Sequence, residues 1–215
     1  MRYPLCIMIA LSLRHLLAIV CRVVDVVRTF MLVKVWGLHV GRGVVFRGPT
    51  IIQAHNRGQI SIGNNVKFVS RGMLNHVGLT GPTILSCVEN GSIMIGNGCG
   101  LSSPVIVARK GVRIGNNVLV GGNVRIFDND FHELDHYSRR FDTPKGDIRS
   151  AEIEIGDDVF VGANAIILKG TKIGPRSIVA AGSVVFGLNI PADAMVKGNP
   201  AVVTSKAGER TGIVR

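Results

Sequence analysis

A branched or aliphatic residue returns at every sixth position between residues 155 and 185. The series is Ile155, Val161, Ile167, Ile173, Val179 and Val185. A helix repeats near 3.6 residues and a half-buried strand near 2, so neither explains a period of six. Three six-residue segments close a triangular coil of about 18 residues, in which each aliphatic side chain points inward and stacks on its equivalent in the next coil. The pattern predicts a β-solenoid in which Ile155 stacks on Ile173 and Val161 on Val179.

The same repeat is looser upstream and is interrupted once. It is irregular from Gly37 to Ile95, tightens from Ile95 to Ile126, stops, and resumes at Ile155. Insertions in solenoids collect on one face, which is often the functional one. We therefore predict a solenoid domain over residues 37–206, with a loop insertion at 127–154 and a flexible tail at 207–215.

Residues 1–36 have a different pattern. On a helical wheel, the polar residues occupy one arc of about 140° and aliphatic residues fill the remainder. The polar residues are Arg14, His15, Arg22, Asp25, Arg28 and Thr29. This predicts an amphipathic N-terminal helix. Its apolar face could lie in a membrane interface with its arginines at lipid phosphates, or could pack on the solenoid end or on neighbouring subunits.

Composition limits the function classes. Lys and Arg number 25 against 14 Asp and Glu, a net charge of +11, which favours anionic partners such as phosphates, acidic glycans or a lipid surface. Two Tyr and one Trp form no aromatic-studded basic platform, so nucleic acid is not expected. The four cysteines are scattered without a Cys-x-x-Cys pair, which is typical of a reducing compartment. A cytoplasmic protein is predicted, peripheral at the inner membrane face.

The insertion carries most of the candidate chemistry. His132 could act as a general base, because its unperturbed pKa lies near neutrality. Asp128, Asp130, Glu133 and Asp135 are all candidates to orient its ring, and the sequence does not choose among them. Residues 132–136 also match His-Glu-x-x-His, a zinc motif when it lies on a helix. A solvated loop histidine is the third interpretation.

These features together resemble the hexapeptide-repeat acyltransferases, and within them the maltose/galactoside and polysaccharide O-acetyltransferases. The resemblance rests on residues 128–132 after a coil, 155–163 at re-entry and 198–201 near the end. It implies a left-handed parallel β-helix, an exception to the right-handed crossover rule. It also implies a homotrimer with active sites in clefts between subunits, and acetyl-CoA as the co-substrate without a required metal.

The resemblance also implies residue roles. His132 would be the catalytic base, with Asp130 and Glu133 as its partners. Lys169 and Lys197 would meet coenzyme phosphates. The other implied coenzyme contacts are Phe160, Gly162, Ala163, Ala180 and Ala181, and the implied acceptor contacts are Ser102, Ser103, Asp128 and Arg140.

The expected activity is acetyl transfer from acetyl-CoA to a saccharide hydroxyl, on a surface polysaccharide or a lipid-linked precursor. Direct transfer needs no covalent enzyme intermediate, which agrees with the absence of a Ser or Cys nucleophile motif. The alternatives are a non-catalytic trimeric scaffold and a zinc-dependent enzyme, either a hydrolase or one of carbonic-anhydrase type, that uses His132 and His136.

Overall fold

The protein is a left-handed parallel β-helix with an N-terminal helix, as predicted. The computed structural model describes residues 5–72, 75–141 and 148–206. Within these residues the chain runs repeatedly through three sheets, which we call A, B and C. The corners AB, BC and CA are named after the sheets that they join, and strands are numbered in chain order.

Sheet A contains β1 (His39–Val40), β4 (Ile60–Ile62), β7 (Ile93–Ile95), β10 (Val112–Ile114), β13 (Ile153–Ile155), β16 (Lys172–Ile173) and β19 (Asn189–Ile190). Sheet B contains β2 (Val45–Arg47), β5 (Lys67–Val69), β8 (Gly100–Ser102), β11 (Leu119–Val120), β14 (Phe160–Val161), β17 (Ile178–Val179), β20 (Ala194–Gly198) and β21 (Ala201–Lys206). Sheet C contains β3 (Thr50–Ala54), β6 (Thr83–Cys87), β9 (Val105–Ala108), β12 (Arg125–Phe127), β15 (Ile166–Leu168) and β18 (Val184–Phe186). Neighbouring strands are parallel, except that β21 folds back antiparallel to β20.

The six-residue series forms the stacked core of the last coils. Ile155 pairs with Ile173 and Val161 with Val179, which confirms the predicted stacking. Ile167 pairs with Val185 in sheet C. All six side chains of the series are buried. Because apolar side chains from all three sheets meet in one continuous interior, removal of their surface from water stabilises a rigid column.

Polar side chains hold the coils together at corner AB. The side-chain oxygen of Asn116 accepts a 2.9 Å hydrogen bond from the backbone N–H of Asn97, and Asp157 accepts one of 2.6 Å from the N–H of Asn116. The next residue, Asn117, has a φ of 55°, the left-handed conformation that Asn tolerates. The Asn-rich corners therefore serve the fold.

The N-terminal helix α1 (Leu5–Trp36) packs on the first coil against β2 and β3. It does so with its polar stripe: Asp25 is buried, and Arg28 and Thr29 are half-buried. Leu32 and Trp36, on the same side, pack against the solenoid core. The alternative in which the apolar face packs on the solenoid end is therefore wrong.

The arginines of the polar stripe differ in their surroundings. Arg22 is exposed, whereas the Arg28 guanidinium donates to Gly48 O, so it does not point away from the solenoid as a lipid-phosphate contact would require. The side chains of Arg14 and His15, and the predicted tail at 207–215, lie outside the described residues. No helix in the described part of the chain is both long and apolar enough to cross a membrane.

Candidate active site

The predicted site residues lie at two different corners of the same chain. Corner CA holds the residues that lie in or beside the insertion: Asp128, Asp130, His132, Glu133, Arg140 and Lys169. Corner BC holds Ser102, Ser103, Gly162, Ala163, Ala180, Ala181 and Lys197. Corner BC at Asn123 and corner CA at Asp128 are the two ends of a segment of sheet C about 16 Å long, at about 3.3 Å per residue. A single chain therefore does not bring the two groups together.

The BC residues form a column of small side chains. The strand register places Ser102, Gly121, Gly162, Ala180 and Lys197 one above another on successive coils. A Cβ atom added at Gly162 would meet the backbone nitrogen of Ala181 at 2.5 Å. Contact between coils therefore requires this glycine in any case, and it leaves the column flat.

A groove of about 320 Å³ lies beside this column on the outer face of sheet B. Ser102, Leu119, Gly121 and Phe160 are among its lining residues. The Phe160 ring is 45% exposed, and Leu119 on the preceding coil is 55% exposed. The groove thus offers an apolar surface bordered by small residues, the kind of lining that ligand pockets commonly have.

The two candidate serines differ in their environment. Ser103 is buried, and its hydroxyl donates a 2.8 Å hydrogen bond to Gly81 O. Ser102 is half-buried, and its hydroxyl accepts a 2.9 Å hydrogen bond from the Asn75 side chain. Since Ser103 is committed to the loop that precedes β6, its predicted acceptor contact has no support in this geometry. Ser102 borders the groove and keeps a hydroxyl hydrogen to donate.

Asp128 anchors the insertion and faces away from solvent. It is fully buried, and its carboxylate accepts hydrogen bonds of 2.7–2.8 Å from the backbone N–H groups of Arg109, Lys110 and Gly111. Its backbone oxygen accepts from Ala151, near the other end of the insertion. The predicted contact of Asp128 with the acceptor is therefore not what the structure shows. Asp128 instead fixes where the insertion starts and ends.

A strained turn presents His132. Phe131 has a φ of 63°, which is unfavourable for an aromatic residue, and its ring packs edge-on against Phe127 at 5.0 Å. Asn129 accepts a 2.9 Å hydrogen bond from the Phe131 N–H, and the His132 N–H donates 2.7 Å to Asp130 O. The His132 side chain is exposed. The backbone is thus held firmly while the imidazole faces solvent.

Asp130 and Lys169 form an ion pair directly beside this turn. The Lys169 ammonium group contacts Asp130 Oδ1, and both side chains are less than 20% exposed. The same ammonium lies 4.9 Å from the centre of the Phe186 ring, a cation–π contact. Lys169 therefore binds a carboxylate at corner CA, which differs from its predicted role at a coenzyme phosphate. The second oxygen, Asp130 Oδ2, is buried and has no hydrogen-bond partner among the described residues.

The six-residue register of the sequence contains a signal for this pair. Phe127 pairs with Leu168, so the residues that follow them, Asp128 and Lys169, leave sheet C side by side. Continuing the six-residue register across the insertion would have placed Lys169 beside the loop. Asn75, by contrast, comes from an irregular loop for which no register exists.

The His-Glu-x-x-His residues do not share one helix. The short helix α2 (His136–Phe141) begins at His136, and His132 lies in the turn before it. Asp135 caps α2, because its carboxylate accepts a 2.8 Å hydrogen bond from the Ser138 N–H, which lowers the pKa of this carboxyl. Within the described residues, no three His, Cys, Asp or Glu side chains are grouped as metal ligands. Glu133 is half-exposed, and Arg140 is exposed on α2.

Comparison with known proteins supports the resemblance to hexapeptide-repeat transferases. Residues 152–187 match the family described as bacterial transferase hexapeptide (six repeats). The fold and this match agree: the protein is a left-handed β-helix, and its residues 152–187 match the hexapeptide repeat.

Curated relatives match over a short part of the chain. A 2,3,4,5-tetrahydropyridine-2,6-dicarboxylate N-acetyltransferase of Clostridium perfringens (strain SM101 / Type A) is 53% identical over 57 residues, 26% of this chain and 24% of that protein. The enzyme with the same name from Staphylococcus aureus (strain JH9) is 47% identical over 60 residues, 28% of this chain and 25% of that protein. The chain thus spans about a quarter of the length of these relatives.

Solved structures match over most of the chain. AntD, an N-acyltransferase from Bacillus cereus in complex with dTDP and 3-hydroxybutyryl-CoA, is 20% identical, with coverage of 83% of this chain and 87% of that chain and a TM-score of 0.64. The hexapeptide-repeat containing acetyltransferase VCA0836 from Vibrio cholerae is 25% identical, with coverage of 85% and 81% and a TM-score of 0.55. These likenesses establish the shared fold.

Proposed function

We propose that the protein is an acyltransferase that moves the acetyl group of acetyl-CoA to a hydroxyl of a saccharide. The observation that carries the proposal is the exposed His132 imidazole on a turn held by buried polar contacts. Positioning of a base on a rigid turn is what general-base catalysis requires. The saccharide would belong to a surface polysaccharide or a lipid-linked precursor.

In this reaction, His132 accepts the proton of the acceptor hydroxyl as the oxygen attacks the thioester carbonyl carbon. The carbon–sulfur bond then breaks, and the protonated imidazole returns the proton to the departing thiolate. The oxyanion of the intermediate needs a donor nearby, and the Ser102 hydroxyl at corner BC is a candidate. Asp130 and Glu133 are the carboxylates nearest in sequence that could orient the ring.

We further propose that the site forms between copies of the chain in a homotrimer. Corner CA carries His132 and corner BC carries the small-residue column, and about 16 Å of sheet C separates them in one chain. Transfer requires the base and the thioester carbonyl carbon each to lie within about 3.5 Å of the acceptor oxygen. The CA corner of one copy facing the BC corner of the next satisfies that requirement, with Phe160, Gly162, Ala163, Ala180, Ala181 and Lys197 along the coenzyme.

The acceptor could also be an amino group. The curated relatives and AntD are named as N-acetyl- or N-acyltransferases, and an amine attacks a thioester by the same route once it has lost a proton. The small-residue column at corner BC is compatible with a hydroxyl acceptor and with an amino acceptor. Parallel assays with a hydroxyl acceptor and an amino-sugar acceptor separate the two.

The test measures release of CoA thiol from acetyl-CoA by the purified full-length chain with a panel of glycan acceptors. We expect His132→Ala to reduce kcat at least about 100-fold, since general-base catalysis contributes about 10²–10⁴-fold. His136→Ala, an exposed histidine four residues later, is the matched control and should change kcat less than twofold. If the protein releases no CoA thiol with any acceptor of the panel, or if His132→Ala keeps full activity, the proposal is overturned.

Mixed assemblies test the shared site. His132→Ala removes the base at corner CA, and Ala180→Trp fills the column at corner BC, so each variant alone should be inactive. Co-assembled copies should regain part of the activity, because some sites combine an intact CA corner with an intact BC corner. A mixture that co-assembles and stays inactive would contradict a site shared between copies.

We also propose a peripheral location at the cytoplasmic face of the membrane. The net charge of +11 favours an anionic surface, and a lipid-linked acceptor would be presented there. Helix α1 is the element that would make the contact.

A further inference from the structure

Helix α1 presents two opposite faces, and its polar face is the one that contacts the protein. Asp25, Arg28, Leu32 and Trp36 follow one another at intervals of three or four residues, and Thr29 lies four residues after Asp25, which places all five on one side of the helix. This is the side that meets the first coil. In a typical surface helix of a globular protein the apolar stripe faces the core and the polar residues face water. Here the polar stripe is turned inward.

A buried polar cluster holds the helix in this rotation. Asp25 is 4% exposed, and its carboxylate accepts hydrogen bonds from Arg71 at 2.8 Å, from the Gly48 N–H at 3.3 Å and from Arg28 at 3.4 Å. Arg28 also donates 2.8 Å to Gly48 O. Rotation of the helix would break these hydrogen bonds and leave Arg71 and the backbone groups of Gly48 without these partners beneath the helix, which is costly. We call Asp25, Arg28 and Arg71 the helix lock.

The side of α1 opposite the lock is apolar and open. Nine large apolar side chains between Ile19 and Val35 are 45–63% exposed, with Val23, Val27 and Phe30 near the centre of the surface. At about 100° per residue, the polar arc of about 140° leaves an apolar arc of about 220°. We call this the outer face of α1. A contiguous apolar patch on this scale marks an interaction site.

The width and the flanking charges of the outer face favour a lipid surface over another protein helix. A helix-to-helix seam covers a narrow a/d stripe, so one neighbouring helix would leave much of a 220° arc in water. A helix that lies in the bilayer interface buries a wide apolar arc at once. Arg22 is exposed beside the face, and the exposed Lys34 lies on it near its C-terminal end, with its ammonium group 5.9 Å from the centre of the Phe30 ring. Both side chains are long enough to reach anionic headgroups.

We propose that the outer face of α1 binds in the plane of an anionic bilayer interface, and that the helix lock orients it outward. This rests on the proposed membrane location and deepens it by assigning the contact surface. The lock lies at the first coil, whereas the His132 insertion leaves β12, three strand spacings along sheet C. At about 4.8 Å per spacing, the catalytic turn lies about 14 Å along the solenoid from the anchored end. Such a height suits an acceptor whose sugar projects from a lipid headgroup.

The test is binding of the full-length chain to vesicles of phosphatidylcholine with 30 mol% phosphatidylglycerol, about a third of the lipid, and to phosphatidylcholine alone. We expect binding to the anionic vesicles to exceed binding to the neutral ones. Val23→Glu together with Val27→Glu should reduce the partition coefficient at least about tenfold, because two carboxylates enter the lipid-facing surface. Val88→Glu together with Val203→Glu adds the same charge at exposed positions away from α1 and should change it less than twofold.

A second measurement locates the contact. Val27→Trp in a Trp36→Phe background places the chain's one tryptophan on the outer face, and brominated lipid should quench its fluorescence. The parent protein should be quenched much less, because Trp36 packs on the core side. Equal quenching of the two proteins would contradict the assigned face.

One outcome would overturn the proposal: a Val23→Glu/Val27→Glu variant that binds anionic vesicles like the parent. If that variant also shows a lower oligomeric order on gel filtration, the face is assigned to contacts between copies. Transfer to a soluble acceptor is measured in parallel and should not change. If the parent protein shows no transfer to the soluble acceptor, the proposed activity is contradicted, whereas the proposed membrane contact is not.

Discussion

The Lys169 ammonium group pairs with the Asp130 carboxylate, two residues before His132 in the turn of the insertion. Phe186 packs against the same ammonium from the next coil of sheet C. The pair connects two successive coils at corner CA, so a coil to which the resemblance assigned coenzyme contacts also supports the turn that presents His132. Of the two lysines that the resemblance assigned to coenzyme phosphates, Lys197 is the one that stays available, because it is exposed at corner BC.

Replacement of Lys169 and replacement of Lys197 should therefore change different kinetic constants. Lys169→Met should lower kcat about tenfold or more, because it removes the ion pair that holds Asp130 in the turn that presents His132. The KM for acetyl-CoA should change less than twofold, as measured by initial rates over a range of acetyl-CoA concentrations.

Lys197→Met is the matched comparison. It removes a charge from the small-residue column and should raise the KM for acetyl-CoA with little effect on kcat, as expected for loss of uniform binding. If Lys169→Met raises only this KM and leaves kcat unchanged, Lys169 contacts the coenzyme and the ion pair has no catalytic consequence.

Asp128 should be a major stabilising residue of the insertion. In Asp128→Asn, the amide NH₂ group would face either the backbone N–H groups of Lys110 and Gly111, which both donate to Oδ2, or the N–H of Arg109, which donates to Oδ1. We expect a loss of about 2–3 kcal/mol, the range for a charge-assisted hydrogen bond lost at a buried site. Equilibrium unfolding in guanidinium chloride measures it.

The control for Asp128 is Asp158→Asn. Asp158 is exposed and has a φ of 57°, a conformation that Asn adopts readily. Its effect should stay within about 0.5 kcal/mol. An unchanged unfolding midpoint for Asp128→Asn would show that the insertion is anchored by other contacts.

Cys87 should be chemically silent in the folded protein and should make stability fall at high pH. Burial raises the pKa of this thiol from 9.0 to about 12, with a smaller contribution from Asp128. The Cys87 thiol ionises at lower pH in the unfolded chain than in the folded protein. Its contribution to the free energy of unfolding is therefore fully present below pH 9 and is lost as pH rises from about 9 to about 12.

Two measurements check this. Iodoacetamide at pH 8.5 should label Cys87 only after denaturation, as read by mass spectrometry. Cys87→Ala should unfold with a shallower dependence on pH between pH 9 and 10.5 than the parent protein. Rapid labelling of native Cys87 would mean that the coil opens locally.

Much of the fold could be read from local patterns. The six-residue series predicted which residues stack, down to the pair Ile155 and Ile173, because a solenoid repeats one local geometry and leaves little else to decide. The wheel of α1 likewise predicted one polar and one apolar face. The same wheel did not predict which face would meet the protein, because Arg71 and Gly48, the partners of Asp25, come from other coils.

The candidate site shows the same limit. Spacing singled out the insertion and His132, since a break in a strict repeat is visible in one dimension. It could not assign the carboxylates: Asp128 faces three backbone N–H groups of the preceding coil, and Asp130 faces Lys169, 39 residues later. Ser103 was likewise predicted to contact the saccharide acceptor, although its hydroxyl donates a hydrogen bond to a loop carbonyl.

The sequence by itself determined the repeat, the stacked aliphatic core, the place of the insertion and the existence of an amphipathic helix. Each of these depends on residues that are close in the chain or one coil apart, so periodicity encodes them. Only the tertiary structure decided that the proposed base and the small-residue column occupy different corners, and that α1 turns its apolar face outward. Those facts depend on which strands and loops surround a side chain, and non-local packing sets them.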